Sequence, residues 1–222
     1  TFAAPPATVF GGVLMAVEHA QDVGGVHPVN VGFPSTPRPG VVPCTPAGIM
    51  EILKRSKIPV AGQEAVVVGR SDIVGKPTAM LLINANATVT VCHSKTRDLP
   101  GVCRRADILF VAPFLSFLLP LYFFPPFSPF LYLVINNVTD LAEFDRLFAG
   151  NGKREESFRT KGSTLVGDAH PNAAEVAGAI TPVPGGVGPL TIAMLMANTV
   201  KAAKMRRGSR QSTRAAEHAR SA

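Results

Sequence analysis

Glu64-Ala65-Val66-Val67-Val68-Gly69-Arg70-Ser71-Asp72-Ile73-Val74-Gly75-Lys76-Pro77 is an apolar, β-branched run that stops at a glycine, turns, and reopens at a second glycine and a proline. Consecutive valines favour a buried strand, because branched side chains pack well on a pleated surface. Gly69 ends the run, and the Gly75-Lys76-Pro77 stretch opens a helix. The unit is strand–turn–helix, which brings backbone N–H groups and a helix N-terminus to bear on a phosphate. Its spacing, G-x-S-x-x-x-G-x-P, is not the common G-x-G-x-x-G.

The next strand sharpens this reading. Ala87-Thr88-Val89-Thr90-Val91 ends in Cys92-His93-Ser94-Lys95-Thr96. In dinucleotide folds the end of the second strand faces the adenosine ribose, and a carboxylate there binds the 2′-hydroxyl of NAD. Here the strand ends in hydroxyls, a histidine and a lysine, and Arg70 sits in the preceding turn. A guanidinium pairs with a 2′-phosphate in a fork, where an acid would repel it. The pattern favours NADP over NAD; the alternative is an ordinary surface loop after a strand.

The same residues carry a resemblance. Gly69–Pro77 and Val91–Thr96 resemble the cofactor domain of the methylenetetrahydrofolate dehydrogenase/cyclohydrolase family. Two further blocks agree with it, Pro43-Cys44-Thr45-Pro46-Ala47-Gly48 and Ile180-Thr181-Pro182-Val183-Pro184-Gly185-Gly186-Val187-Gly188-Pro189-Leu190-Thr191. The resemblance covers residues 21–112 and 134–204. It implies a Rossmann-like parallel sheet with flanking helices, joined to the remnant of an N-terminal catalytic domain. It implies NADP as cofactor, with Thr45, Gly69, Arg70, Ser71, Gly75, His93, Ser94, Ile135 and Thr191 around it. Pro184, Gly185, Gly186 and Gly188 would line the cleft shared with a tetrahydrofolate derivative. The implied reactions are hydride transfer from 5,10-methylenetetrahydrofolate to NADP, and water attack on the methenyl bridge of the product. A homodimer is implied as well.

The chain also departs from the family. The family's catalytic lysine, with a nearby tyrosine and glutamine, comes from segments ahead of Thr1, and residues 1–20 resemble only the tail of that domain. The family's Asp-Val-Asp-Gly element reads Asp22-Val23-Gly24-Gly25, followed by the expected His27-Pro28-Val29-Asn30. Gly24 thus stands where an aspartate contacts the pterin, and no side chain substitutes for that carboxylate. No catalytic set is intact by this reading, and the fragment is expected to be inactive. The alternative is a non-catalytic NADP-binding module.

Residues 113–133 break the pattern again. No charge occurs between Asp107 and Asp140, which by length and polarity makes a membrane-span candidate. Prolines at 113, 120, 125, 126 and 129 argue against a spanning helix, a soluble helix or a central strand. Three explanations stand, in order: translated non-coding sequence or a frameshift, a real hydrophobic loop, and a membrane segment. If expressed, the stretch is an exposed apolar patch and an aggregation hazard.

The chain has 222 residues and a net charge of +7. Seven Lys/Arg against Glu217 between Lys201 and Ala222 hold six of those seven charges. That clustering, with no aromatic residues for base stacking, argues against nucleic acid and for a solvated tail. Cys44, Cys92 and Cys103 have an odd count and no metal spacing, so free thiols in a reducing compartment are expected. The expected compartment is cytoplasmic or organellar (mitochondrial or plastid). His19, His170 and His218 lack ligand-spaced partners and read as surface residues.

The expected organisation is residues 1–43 as the remnant of the folate-binding domain, 44–204 as the NADP-binding domain, and 205–222 as a basic disordered tail. Within it, Thr45 caps and Pro46 begins a helix with Ile49, Ile52 and Leu53 on one face. A third strand covers 106–112, and 134–138 is the remnant of a fourth. Residues 145–161 read as a linker or insertion, and a last apolar helix runs from Pro189 to about Lys204.

Overall fold

The computed structural model of the chain describes residues 12, 15–32, 40–112, 130–133, 135–138, 152–167 and 177–221. The first β-branched run forms β1 (Glu64–Val68), followed by α3 (Gly75–Asn84) and β2 (Thr88–Cys92). Before them lie α1 (Pro28–Gly32) and α2 (Cys44–Arg55). After them come α4 (Leu99–Cys103), β3 (Ile108–Val111), β4 (Phe130–Leu133) and β5 (Ile135–Val138). The chain then forms α5 (Gly152–Lys161), β6 (Thr164–Gly167), β7 (Ala179–Ile180) and α6 (Val187–Ser221).

The main sheet has five strands in the order β2-β1-β3-β4-β7, all parallel. This is the Rossmann-like α/β architecture expected from the sequence. β5 and β6 form a separate antiparallel pair. Alternation along β1 and β3 builds the two faces of the core, as the period of two in a strand requires. Ala65, Val67, Ile108 and Phe110 pack with Ile49 and Leu53 of α2 and with Ala79 and Leu82 of α3. Val66, Val68, Leu109 and Val111 pack on the other side with Cys92, Cys103 and Ala106. Each fully buried aliphatic side chain contributes roughly 1.5–3 kcal/mol. The order reverses at β1, with β2 on one side and β3 on the other; in open α/β sheets that crevice, at the carboxyl ends of the strands, is where ligands bind.

Several expectations need correction. Thr45 does not cap its helix: α2 starts at Cys44, Pro43 is the cap residue, and no side chain satisfies the N-terminus. Ile49 and Leu53 of the expected face are buried and Ile52 packs half-buried against them. β3 is shorter than the 106–112 expected, although the Ala112 N–H extends its pairing by donating to the Val68 carbonyl at 2.8 Å. The fourth strand is Phe130–Leu133, inside the stretch read as aberrant. All five prolines precede it, and Pro129 sits just before the first strand residue, where a missing N–H is tolerated. Residues 135–138 turn instead to β6.

The segment read as a linker contains α5, whose Glu155 in the first turn and Arg159 and Lys161 in the last complement the helix dipole. The tail expected to be disordered is the continuation of α6 to Ser221. Its Ala, Arg, Gln and Glu residues have high helix propensity, and extending an existing helix avoids the cost of a new nucleus. Among the described residues, no helix is long and apolar enough to cross a membrane, and residues 113–129 lie outside them.

Thr78 in α3 is 1% exposed, and its Oγ1 has no hydrogen-bond partner among the described residues. A buried hydroxyl without a partner carries its desolvation cost uncompensated. Thr78→Val keeps the branched shape and removes that cost, so its urea midpoint should rise by the equivalent of about 1 kcal/mol. A fall in midpoint would show that the hydroxyl is satisfied in solution.

Candidate functional site

The carboxyl ends of β2, β1 and β3 bring Gly69–Ser71, His93–Thr96 and Ala112 to one edge, because the register pairs Val68 with both Cys92 and Val111. The Gly69 N–H donates to the Cys92 carbonyl at 2.9 Å, which ties the two turns together. Gly69 has a φ of 121°, a conformation open to glycine and strained for other residues.

The helix that follows comes very close. A Cβ on Gly75 would run into the Gly69 carbonyl oxygen and lie 2.9 Å from Arg70 Cα. Glycine at 75 is therefore what lets the α3 N-terminus sit against the end of β1. Ser71 holds that arrangement: its Oγ accepts from the N–H groups of Val74 and Gly75 at 3.2 Å each, and its carbonyl accepts from Lys76 at 3.0 Å. The Ser71 hydroxyl proton stays available to an anion. Among the described residues, no protein acceptor takes up the N–H of Arg70, Ser71, Asp72 or Ile73. With the helix N-terminus behind them, these groups form an anion cradle. Asp72, the one acid in the turn, is paired with Lys76 at 2.5 Å. That exposed pair adds little to stability but offsets a negative charge beside the cradle.

Arg70 is exposed at the mouth of this edge. Beside it the His93–Thr96 turn closes on itself. The His93 N–H donates to Thr96 Oγ1 at 2.8 Å, and the Lys95 N–H donates to His93 Nδ1 at 3.1 Å. A neutral His93 ring therefore carries its proton on Nε2, as a donor. Ser94 and Lys95 are exposed, and no carboxylate lies between Cys92 and Arg97.

Other expected positions are brought together elsewhere. Thr45 and Thr191 meet hydroxyl to hydroxyl at 3.1 Å where α2 crosses α6, and Thr191 also reaches the Val187 carbonyl at 3.3 Å. The loop before α6 leaves β7 at the same carboxyl edge, with Pro184 and Gly185 exposed and Gly186 packed against Pro182. Gly188 is the second residue of α6. Ile135 opens β5, paired with Gly167 outside the main sheet. Gly24 lies in the turn before α1, where a Cβ would meet Asp22 Oδ1 at an ordinary 3.4 Å, so the backbone has room for a side chain.

Asp22, His27 and Asn30 form a buried polar group that no local sequence pattern announces. Asp22 Oδ2 accepts from the His27 N–H at 2.7 Å and from Asn30 Nδ2 at 2.9 Å. Asn198 on α6 joins the functional neighbourhood without a local motif: its Nδ2 donates to the carbonyls of Val23 at 3.0 Å and Val42 at 2.9 Å. A lone amide inside the apolar run of α6 was the available signal. Among the described residues no group of His, Cys, Asp and Glu is arranged to hold a metal ion.

Burial pushes the Cys103 thiol up to about 12 and raises the thiols of Cys44 and Cys92. All three cysteines are free and buried.

The model of the tetrahydrofolate dehydrogenase/cyclohydrolase NAD(P)-binding domain matches residues 43–115 and 151–207. The bifunctional protein FolD of Koribacter versatilis is 67% identical over 196 residues, 88% of this chain and 64% of the relative. That of Solibacter usitatus is 51% identical over 205 residues, 92% of this chain and 67% of the relative. The chain thus spans about two thirds of the length of these curated relatives. Among solved structures, the bifunctional FolD enzyme of Campylobacter jejuni superposes with a TM-score of 0.73 at 38% identity, covering 88% of this chain and 62% of the other. The Trypanosoma brucei enzyme, solved with NADP and an inhibitor, gives 0.74 at 33% identity, covering 93% and 66%.

Two outcomes follow from the geometry. Gly75→Ala sets a methyl against backbone that has no side chain to move, so it should cost about 2 kcal/mol or more in chemical denaturation. A loss under half a kilocalorie would mean that α3 does not sit this close to β1. The raised thiols also set a sign with pH. Below about 9 the thiols are protonated in both states and contribute nothing. Above it the unfolded chain releases protons that the native chain keeps, so stability should fall between about pH 9 and 12. Replacing Cys103 with alanine should flatten that slope in urea titrations across this range.

Proposed function

The chain belongs to the tetrahydrofolate dehydrogenase/cyclohydrolase family, and from that premise we propose that it supplies the NADP-holding part of a methylenetetrahydrofolate dehydrogenase/methenyltetrahydrofolate cyclohydrolase. The observation that carries this is the edge formed by Gly69–Gly75 and His93–Thr96: a glycine-dependent anion cradle at the reversal point of the sheet, flanked by Arg70, Ser94 and Lys95.

The residues present fit a dinucleotide phosphate. The Arg70–Ile73 N–H groups and the Ser71 hydroxyl suit the pyrophosphate, because glycine at 75 leaves their approach open. Arg70 and Ser94, with His93 donating from Nε2 and Lys95 adjacent, suit a 2′-phosphate. Thr45, Thr191 and the Pro184–Gly188 loop would border the reacting end, and Ile135 completes the set carried over from the family. Bound NADP would accept the hydride released from the methylene bridge of 5,10-methylenetetrahydrofolate, leaving the methenyl cation. The protein's contribution to that step is positioning and exclusion of water, since hydride transfer needs donor and acceptor carbons held close.

The pterin-facing position is Gly24, which offers no carboxylate. We take these 222 residues on their own to bind NADP only weakly and to turn over neither reaction. The three free, buried cysteines support a reducing compartment. A homodimer belongs to the same reading.

Arg70→Ala should weaken NADP binding by about 10- to 100-fold, the worth of a charge-assisted hydrogen bond, while leaving NAD binding within about twofold. Calorimetric titration with the two cofactors checks this. Equal losses for both would remove the assignment of Arg70 to the 2′-phosphate. An absorbance assay showing NADPH formation from methylenetetrahydrofolate at ordinary enzyme rates would contradict the inactivity of the isolated chain.

A further inference from the structure

Three stretches distant in sequence meet at the carboxamide of Asn198, which is 8% exposed. Its two N–H donors go to the Val23 and Val42 carbonyls, and Cys44 Sγ lies 3.5 Å from the same nitrogen. Around it the Asp22–Gly25 turn is fastened to the segment that enters α2. The Cys44 N–H donates to the Gly24 carbonyl at 3.3 Å, and the Cys44 thiol donates to the Val23 carbonyl at 3.4 Å. Gly25, at φ 70°, lies so close that a Cβ there would sit 2.5 Å from Pro43 N. One turn further along α6, Lys201 Nζ donates to the Gly40 carbonyl at 2.5 Å. On its other side the turn is internally braced by Asp22, His27 and Asn30, and Asn30 also holds the His19 carbonyl at 2.7 Å.

We propose that Asn198 is a positioning residue: its carboxamide pins the Asp22–Gly25 turn to helix α6 and so fixes where position 24 stands relative to the cofactor edge. The inference rests on the proposed function, under which position 24 faces the substrate. Its physical basis is independent of any ligand. Val23 and Val42 belong to different passes of the chain, and both carbonyls are part-buried groups that take donors from the Asn198 amide. One planar NH2 group satisfies both, so the two passes keep a single spacing. Without it the turn retains its internal bracing from Asp22 and the Cys44 bonds to the Gly24 and Val23 carbonyls, but loses the side-chain tie to α6. The turn should then open locally while the sheet stays closed, because opening free energies differ between regions of one structure.

Cys44 reports on this junction from within, and Cys92 and Cys103 serve as references in the sheet core. Labelling by 5,5′-dithiobis(2-nitrobenzoate) is followed residue by residue in mass spectra of the native full chain at pH 8. Asn198→Asp has nearly the same volume but donates no hydrogen bond and turns a carboxylate toward two carbonyls. Asn198→Ala removes the tie more gently, and Thr199→Ala, on the exposed side of α6, is the control. The expected result is Cys44 labelling at least tenfold faster in both Asn198 variants, with Cys92 and Cys103 still protected and Thr199→Ala like the parent. The Cys44 amide should lose hydrogen-exchange protection in step, whereas the β1 and β3 amides keep theirs. Unchanged Cys44 labelling overturns the proposal. So does a uniform rise at all three thiols, or failure of Asn198→Ala to fold, since either makes Asn198 a general core residue. NADP titration of the same proteins separates the two readings: loss of binding in the parent chain would sink the proposed function and leave the labelling result standing.

Discussion

The close approach of the Gly75 backbone to the Gly69 carbonyl sets the geometry on which the rest of the proposed cofactor edge depends. A strand and a helix joined by a six-residue turn stack this closely end to end because one of them has no side chain at the contact. With glycine at 75, α3 leaves directly from the end of β1, its N-terminal N–H groups converge on the edge, and Ser71 folds under them as their acceptor. The same placement lets Ala79 and Leu82 reach Ala65 and Val67, so the anion cradle and one face of the core share one contact.

Helix α6 is the second organising element. It starts at the cofactor edge, where Val187 joins the core with Val67 and Phe110, and it then crosses α2 at the Thr45–Thr191 hydroxyl pair. Two turns on, Asn198 and Lys201 hold the backbone of residues 23, 42 and 40. A single rigid helix therefore links the cofactor edge to the turn that carries position 24. Under the proposed function, hydride transfer would depend on the distance between two bound molecules, and secondary-structure elements hold such distances better than loops do.

Much of this was legible in the chain. Val66-Val67-Val68 before Gly69, and the hydroxyl-rich end of β2, announced two adjacent parallel strands and the edge they share. The helix faces of α2 followed from the spacing of Ile49 and Leu53. What misled was local composition read without its neighbours. Phe130–Leu133 sits in a stretch crowded with prolines, yet it supplies four proline-free residues, and pairing to β3 decided its state. Residues 205–221 carry a charge run that reads as solvated coil, yet they continue a helix already nucleated. Thr45 reads as a cap by its place before Pro46, but its hydroxyl is taken by Thr191, a partner 146 residues away that no local pattern reveals. Asn198 was invisible for the same reason: both of its carbonyl partners are more than 150 residues away in sequence.

Under the proposed function, the Gly69–Gly75 and His93–Thr96 turns together hold NADP. The most direct test is an amide-resolved ¹H–¹⁵N NMR titration of the full chain with NADP. The account predicts the largest shifts at the Arg70–Gly75 and His93–Thr96 amides, with the α5 amides unmoved. Shifts absent from both turns, or concentrated on α5 or on the end of α6, would contradict it.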